Sequence, residues 1–434
     1  MLFKHLISSL IFLILTFNLV FGDEKTCTET NCQLPSCQCP VTNGNPTSLN
    51  ITDIPQLVLF TFVGNLNQYT FDSIRSILNP AHRNPNKCPI SSTFFVNDNY
   101  TDYCLVQRLF NNHNEIAMTT SSNRCPLTNC YEENHWRRWI ENDWKREIKQ
   151  QRTNLIDQSH IHRSHIKGFR VPHLQIDDNK HVDLIRNYHF HYDSSMLFKS
   201  SDLIWPFTMN YLLNTTNCIN CDDKSNKTIE SLWQFPLHEW TRPNASSACR
   251  TLSDPTCLPE DEVQTADLFF NLIKYNFDRH SSSNLGQRSP FIIELDLFWL
   301  SEHQNKRLEG LIRFIEYILN SEDHRHVYFI SIEQALEWLK YPRKLNELED
   351  FWAFSCNDII YDYDIDCVSF DLNFSHKADA KKLISTNKTN ATDSELKDRH
   401  AEDLFRSDIV FHSIWIFILL IIIVLFYDHY FSNK

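Results

Sequence analysis

Two carboxylates in this chain are spaced for joint chemistry. Glu294 and Asp296 lie two residues apart in the apolar run from Pro290 to Trp299. On a strand, residues i and i+2 share a face, so both acids would enter one cleft, as glycoside hydrolysis requires. The signal is weak, because any alternating strand can produce it. Histidines form two further groups: His160, His162 and His165, then His181, His189 and His191. His189 and His191 on one strand face make a conceivable metal pair, though surface or rim histidines explain both groups more simply. Asp177-Asp178 and Asp222-Asp223 sit in polar stretches and read as solvated surface. Ser194 and Ser195 lack the G-x-S-x-G setting of an activated serine. Asp193, just before them, reads as a turn or helix-cap carboxylate. No GxGxxG or Walker pattern supports a nucleotide cofactor, and a net charge of −13 gives no support to nucleic-acid binding.

The elements that would position such groups alternate. Leu57 to Phe62 is an apolar, β-rich run that stops at Gly64 and Asn65, as a buried strand ending in a turn does. Phe71 to Leu78 and Tyr103 to Phe110 have helical apolar spacing. Cys88 to Val96, Asn114 to Met118 and His165 to Val171 read as strands. Trp136 to Ile156 is a long amphipathic helix, Glu262 to Tyr275 another, and Leu308 to Leu319 a third. Pro290 to Trp299 and Val327 to Ile330 are late strands, and Ser331 caps a helix to Lys340. Strands alternating with helices argue for a parallel α/β sheet or barrel. Such a fold places its chemistry at the C-terminal ends of the strands. The first of those ends carries only Val63 and Gly64.

The flanks suggest a compartment. Residues 1–22 have the charged start, apolar core and small residue at the cut site of a signal peptide. Ile409 to Tyr427 carries no formal charge and is long enough to span a bilayer. A GPI-anchor signal is the rival, but a charged tail follows this stretch. All 14 cysteines lie between the two apolar segments, which reads as up to about seven disulfides. N-x-[S/T] sequons start at Asn50, Asn99, Asn214, Asn226, Asn244, Asn373, Asn387 and Asn390. The expected organisation is a signal peptide over 1–22, a Cys-rich entry segment over 23–50 and a main domain over 51–369. A polar glycosylated stalk over 370–407, a transmembrane helix over 408–427 and a short tail over 428–434 follow. The organisation predicts a single-pass type I cell-surface protein with an extracellular domain.

The order of segments resembles the polysaccharide deacetylases with a NodB-type domain, nearest the animal chitin deacetylases. The residues that carry it are Cys32 to Cys39, Pro55-Gln56, Asn84 to Ile90, Thr93 to Val96 and Glu115 to Ala117. Gly168 to Leu174, Tyr192 to Ser195, Trp205-Pro206, Phe329 to Ser331 and Gln334 to Leu336 continue in register. The resemblance covers roughly residues 27–367 and implies a distorted (β/α) barrel. It also implies amide hydrolysis assisted by a Zn-like ion held by one Asp and two His, with a second Asp as base and a late His as acid.

Position by position, this chain departs from that set. The usual Thr-Phe-Asp-Asp-Ala is here Thr61 to Asn65, so the base position is Val63 and a metal position is Gly64. The two metal histidines correspond to Thr119 and Asn123, and the late acid to Asp296 before Leu297, Phe298 and Trp299. Arg170, which orients the base in the family, and Asp193 are retained. Asp296, Asn123 and Thr119 together would make a poor oxygen site for a cation. The expectation is a catalytically degenerate ectodomain without a cofactor, binding chitin-like polysaccharide or a matrix protein. Arg170, Asp193, Trp205, Trp233, Trp240 and Trp299 are the candidate cleft residues, since aromatic faces stack on sugar rings; core burial is the competing reading for each tryptophan. The alternatives are an active deacetylase with a rebuilt Zn site, a hydrolase using Glu294 and Asp296, and a surface protein without sugar affinity.

Overall fold

The computed structural model describes residue 27 and residues 32–356, apart from 129, 131–136, 177–179, 211–216, 222–231, 244–247, 255, 259–264, 282–286 and 303–304. The expected signal peptide, stalk, membrane span and tail lie outside the described residues, as do six of the eight sequons. Among the described residues, no helix is long and apolar enough to cross a membrane.

The strands are β1 (Gln56–Gly64), β2 (Thr93–Val96), β3 (Glu115–Met118), β4 (Gly168–Phe169) and β5 (Tyr192–Asp193). β6 (Leu197–Phe198), β7 (Phe207–Thr208), β8 (Trp233–Gln234) and β9 (Leu237–His238) follow. β10 (Trp240–Thr241), β11 (Ala248–Cys249), β12 (Phe291–Asp296) and β13 (Val327–Phe329) complete them. Nine strands form one sheet in the order β12-β1-β2-β3-β4-β5-β8-β7, with β13 also on β1. All its pairings are parallel except β7 with β8. β6 with β9 and β10 with β11 are separate ribbons.

The helices are α1 (Gln68–Ile77), α2 (Tyr103–Asn111), α3 (Glu141–Ser159) and α4 (Lys180–Asn187). α5 (Ala266–Ser281), α6 (Leu297–Leu300), α7 (Lys306–Leu319) and α8 (Ile332–Lys340) follow. α1 and α8 start with capping boxes, Asn67 with Thr70 and Ser331 with Gln334.

β1 shows why its sequence is apolar on both faces. Val58, Phe60 and Phe62 join the core beneath the helices, while Leu57 and Leu59 join a second core on the inner face. A parallel strand covered on both sides needs this near-continuous run. The expected barrel is open among the described strands, because β12 and β7 share no ladder. The sheet nevertheless curls. Arg170, next to β4, reaches Thr61 on β1 across two intervening strands, a span of about 14 Å if the sheet were flat. The result is a half-barrel.

The inner floor is polar at one point. Glu115 on β3 accepts from the Tyr192 hydroxyl at 2.7 Å, from Thr93 Oγ1 at 2.8 Å and from the Glu333 N–H at 2.8 Å. Burial and the nearby Glu333 raise its pKa to about 7. Gly168 must be glycine here, since a Cβ would lie 2.1 Å from the Tyr192 ring. Below the floor, a disulfide joins Cys88, ahead of β2, to Cys356. Further bridges join Cys27 to Cys37, Cys32 to Cys39, Cys125 to Cys130, Cys218 to Cys221 and Cys249 to Cys257. Cys104 is also disulfide-bonded.

Several expected elements are redrawn. The run from Cys88 is a strand only over Thr93–Val96, and the helix expected from Glu262 is described over Ala266–Ser281. The long helix begins at Glu141 rather than Trp136. The run from His165 shrinks to Gly168–Phe169, with His165 in a 3-10 turn. The run from Pro290 stops being a strand at Asp296, because the Asp296 carboxylate accepts the Trp299 N–H at 2.8 Å and starts α6.

Candidate functional site

The C-terminal ends of β1, β2, β3, β4 and β12 frame a mouth. Register puts Val63 opposite Asp296 and Thr61 opposite Glu294, so these four side chains belong to the inner face. Val63 is half-buried against the inner core. Gly64 follows with φ +130°, a conformation that side-chain-bearing residues rarely adopt. Its open face meets Leu297 of α6, 3.7 Å from where a Cβ would stand. Thr119 is buried, and its Oγ1 lies 3.5 Å from Asn123 Oδ1. Asn123 also has positive φ (50°), and its carbonyl receives His173 Nε2 at 3.1 Å.

Arg170 is the buried cation of the inner face. Its Nε donates to the Ser194 carbonyl at 2.7 Å, one terminal nitrogen to Ser194 Oγ at 2.7 Å and the other to Thr61 Oγ1 at 2.8 Å. The guanidinium lies 4.1 Å above the Phe95 ring. Burial lowers its pKa to about 10, against the opposing pull of Glu294, Tyr192 and Asp193. Burial raises Glu294, with Arg170 opposing and Asp296 adding to the shift. Burial also raises Asp296, although the Trp299 and Phe298 N–H groups and the nearby His173 favour its ionised form. His173 is held below its ordinary value by desolvation, opposed by its bond to Asn123 and by Asp296.

The mouth thus contains Val63, Gly64, Thr119, Asn123, Arg170, Glu294, Asp296 and His173. His173 is absent from the sequence-level candidates. Nothing periodic announces it; it enters because His173 and Leu174 both have positive φ, 51° and 55°, and turn the chain over the rim.

Several candidate cleft residues lie elsewhere. Asp193 points to the helix side, because strand alternation sends Tyr192 inward and Asp193 outward. There it accepts from Ser195 Oγ at 2.7 Å and the Ser195 N–H at 3.0 Å, with His181 Nε2 at 3.8 Å. Burial raises it to about 6. Trp205 is fully buried in the inner core, stacked on Trp338 with its indole N–H on the Gly44 carbonyl. Trp233 is buried in that core too, and Trp240 in the outer one against Phe291. Each buries a large apolar surface that the half-barrel needs filled. Trp299 alone remains half-buried at the rim, with the Arg307 guanidinium 4.0 Å over its ring. The paired acids Asp177-Asp178 and Asp222-Asp223 lie outside the described residues.

Gly64, Thr119 and Asn123 do not by themselves make a Zn site. Gly64 has no side-chain ligand, and Thr119 and Asn123 offer neutral oxygens turned to each other. Among the described residues, the groups of three or more His, Cys, Asp or Glu with converging ligand atoms are Cys27, Cys32, Cys37 and Cys39, and Cys125, Cys130 and His173. Their cysteines are paired in disulfides.

No family model matches the chain. It is 29% identical over 342 residues to Chitin deacetylase 1 of Bombyx mori, covering 76% of this chain and 60% of the relative. It is 28% identical over 320 residues to Chitin deacetylase 8 of the same organism, covering 73% of this chain and 78% of the relative. Among solved structures, the chitin deacetylase of Colletotrichum lindemuthianum superposes with a TM-score of 0.36 at 11% identity, over 66% of this chain and 89% of that one. Puue allantoinase does so with a TM-score of 0.43 at 14% identity, over 66% and 92%.

Proposed function

We propose that the chain, similar to two chitin deacetylases of Bombyx mori, is a chitin deacetylase-like protein of the NodB type that binds or organises chitin-like polysaccharide without hydrolysing it. One observation carries the reading. Val63, Gly64, Thr119 and Asn123 bring no ionisable side chain to the mouth, and Asp296, at the late acid position, is engaged as a helix cap. Metal-assisted amide hydrolysis needs a held ion, a base and an acid. Arg170, which would orient a base, instead braces the inner face through Thr61 and Ser194. The sequence pattern of the flanks supports a secreted, glycosylated ectodomain held at the cell surface by the apolar stretch at 409–427.

The test uses the purified full-length chain. Bound metal is measured, and acetate release from N-acetylglucosamine oligomers is followed with and without added Zn²⁺ or Co²⁺. The expected result is no stoichiometric metal, no acetate, and retention on insoluble chitin. Stoichiometric metal with turnover would replace this reading with an active deacetylase. Failure to be retained on chitin would leave a surface protein without sugar affinity.

A further inference from the structure

Tyr69 in the first turn of α1 and Phe298 in α6 are 55% and 58% exposed, and their ring centroids are 6.0 Å apart at 44°. Among the described residues, they are the pair of more-than-half-exposed rings in contact with each other. Water-exposed rings that touch are poorly explained by core packing, since neither gains much from burial. The pair is also held in place. The Tyr69 hydroxyl donates to the Ser301 carbonyl at 3.2 Å, and Ser73 Oγ meets Ser301 Oγ at 2.9 Å. Phe298 is fixed by the short helix that Asp296 caps. Its neighbour Leu297 packs on Gly64, so the rings stand on the rim of the mouth.

We propose that Tyr69 and Phe298 form an aromatic step that stacks one or two pyranose rings of a β-linked N-acetylglucosamine chain as it enters the mouth. This rests on the polysaccharide-binding reading above and gives it a location. Size decides the occupant. Two rings offer far less than the roughly 800 Å² that each partner of a stable protein pair buries, but they match the apolar face of a sugar ring. The Tyr69 hydroxyl and the Ser301 carbonyl it meets are polar groups at the edge of the step, as sugar recognition requires. Asp296 is two residues from Phe298, and Glu294 is two further along the same strand face. The rings are set at an angle rather than coplanar, so successive sugars of a chain could rest on different faces of the step.

The experiment titrates the full-length chain with the N-acetylglucosamine hexamer by calorimetry and measures retention on insoluble chitin. Tyr69→Ala and Phe298→Ala should each weaken hexamer binding about tenfold or more, with only a small drop in melting temperature because both rings are more than half exposed. Phe298→Tyr should bind like the parent, since it keeps the ring. If the parent binds sugar and both alanine variants bind equally well, the aromatic step is wrong while the polysaccharide reading stands. If the parent binds neither hexamer nor insoluble chitin, both fall.

Discussion

At the scale of single residues, Gly64 and Glu115 have opposite dependences on their surroundings. Gly64 has an open space before it but a backbone angle, φ +130°, that excludes side chains. Placing an acid there is therefore opposed by the backbone rather than by crowding. Gly64→Asp should lower stability by about 1–3 kcal/mol in urea unfolding, and should bind no Zn²⁺ in a metal titration. Glu115 is instead crowded by donors in a dry floor. A carboxyl that is harder to ionise in the fold than in the unfolded chain contributes fully below its ordinary value of 4.5 and loses that contribution as pH rises through about 7. Glu115→Gln keeps an acceptor for Thr93 and the Glu333 N–H. Relative to the variant, the parent should therefore lose on the order of 2–3 kcal/mol between pH 4.5 and 8. Buried His238, lowered to about 3 by desolvation and Arg279, pulls the other way in acid, so the parent-minus-variant difference is the quantity to follow.

At the scale of elements, α6 links the end of β12 to the rim. Its four residues exist because Asp296 ends β12 and accepts the Trp299 N–H. Asp296→Ala should cost about 1 kcal/mol and weaken hexamer binding by disordering Phe298, whereas Asp296→Asn, still a competent cap, should do neither; denaturation and calorimetry on both variants check this. The helix was not legible in the sequence. Leu297, Phe298 and Trp299 continue an apolar run, and periodicity cannot separate a buried strand from a short capped turn. β1 and α8 were legible for the opposite reason: one is a long two-sided apolar run ending at a glycine, and the other opens with a Ser331 to Gln334 capping box. The tryptophans show a further limit. Trp205, Trp233 and Trp240 are sited near the sheet by sequence, but which face a two-residue strand turns inward is set by the whole sheet. Tyr69 and His173 carried no signal, because exposure and positive φ are tertiary properties.

At the scale of the whole molecule, the open half-barrel is held by bridges as well as by its two cores. The disulfide from Cys88 to Cys356 has a sequence separation of 268 residues, much the longest of those described. Closing so long a loop restricts the unfolded chain strongly. Cys88→Ser paired with Cys356→Ser should lower stability by about 2–5 kcal/mol, read as a drop in melting temperature, with hexamer affinity unchanged below the new midpoint. The same bridge ties the last described segment to the sheet. Asn86 holds the Phe354 carbonyl at 2.9 Å, and Cys356 is pinned ahead of β2, at the pole where the strands begin. The mouth lies at the pole where they end. The longest covalent brace described thus sits at the opposite end of the sheet from the aromatic step, like a cup bound at its foot with its lip left free.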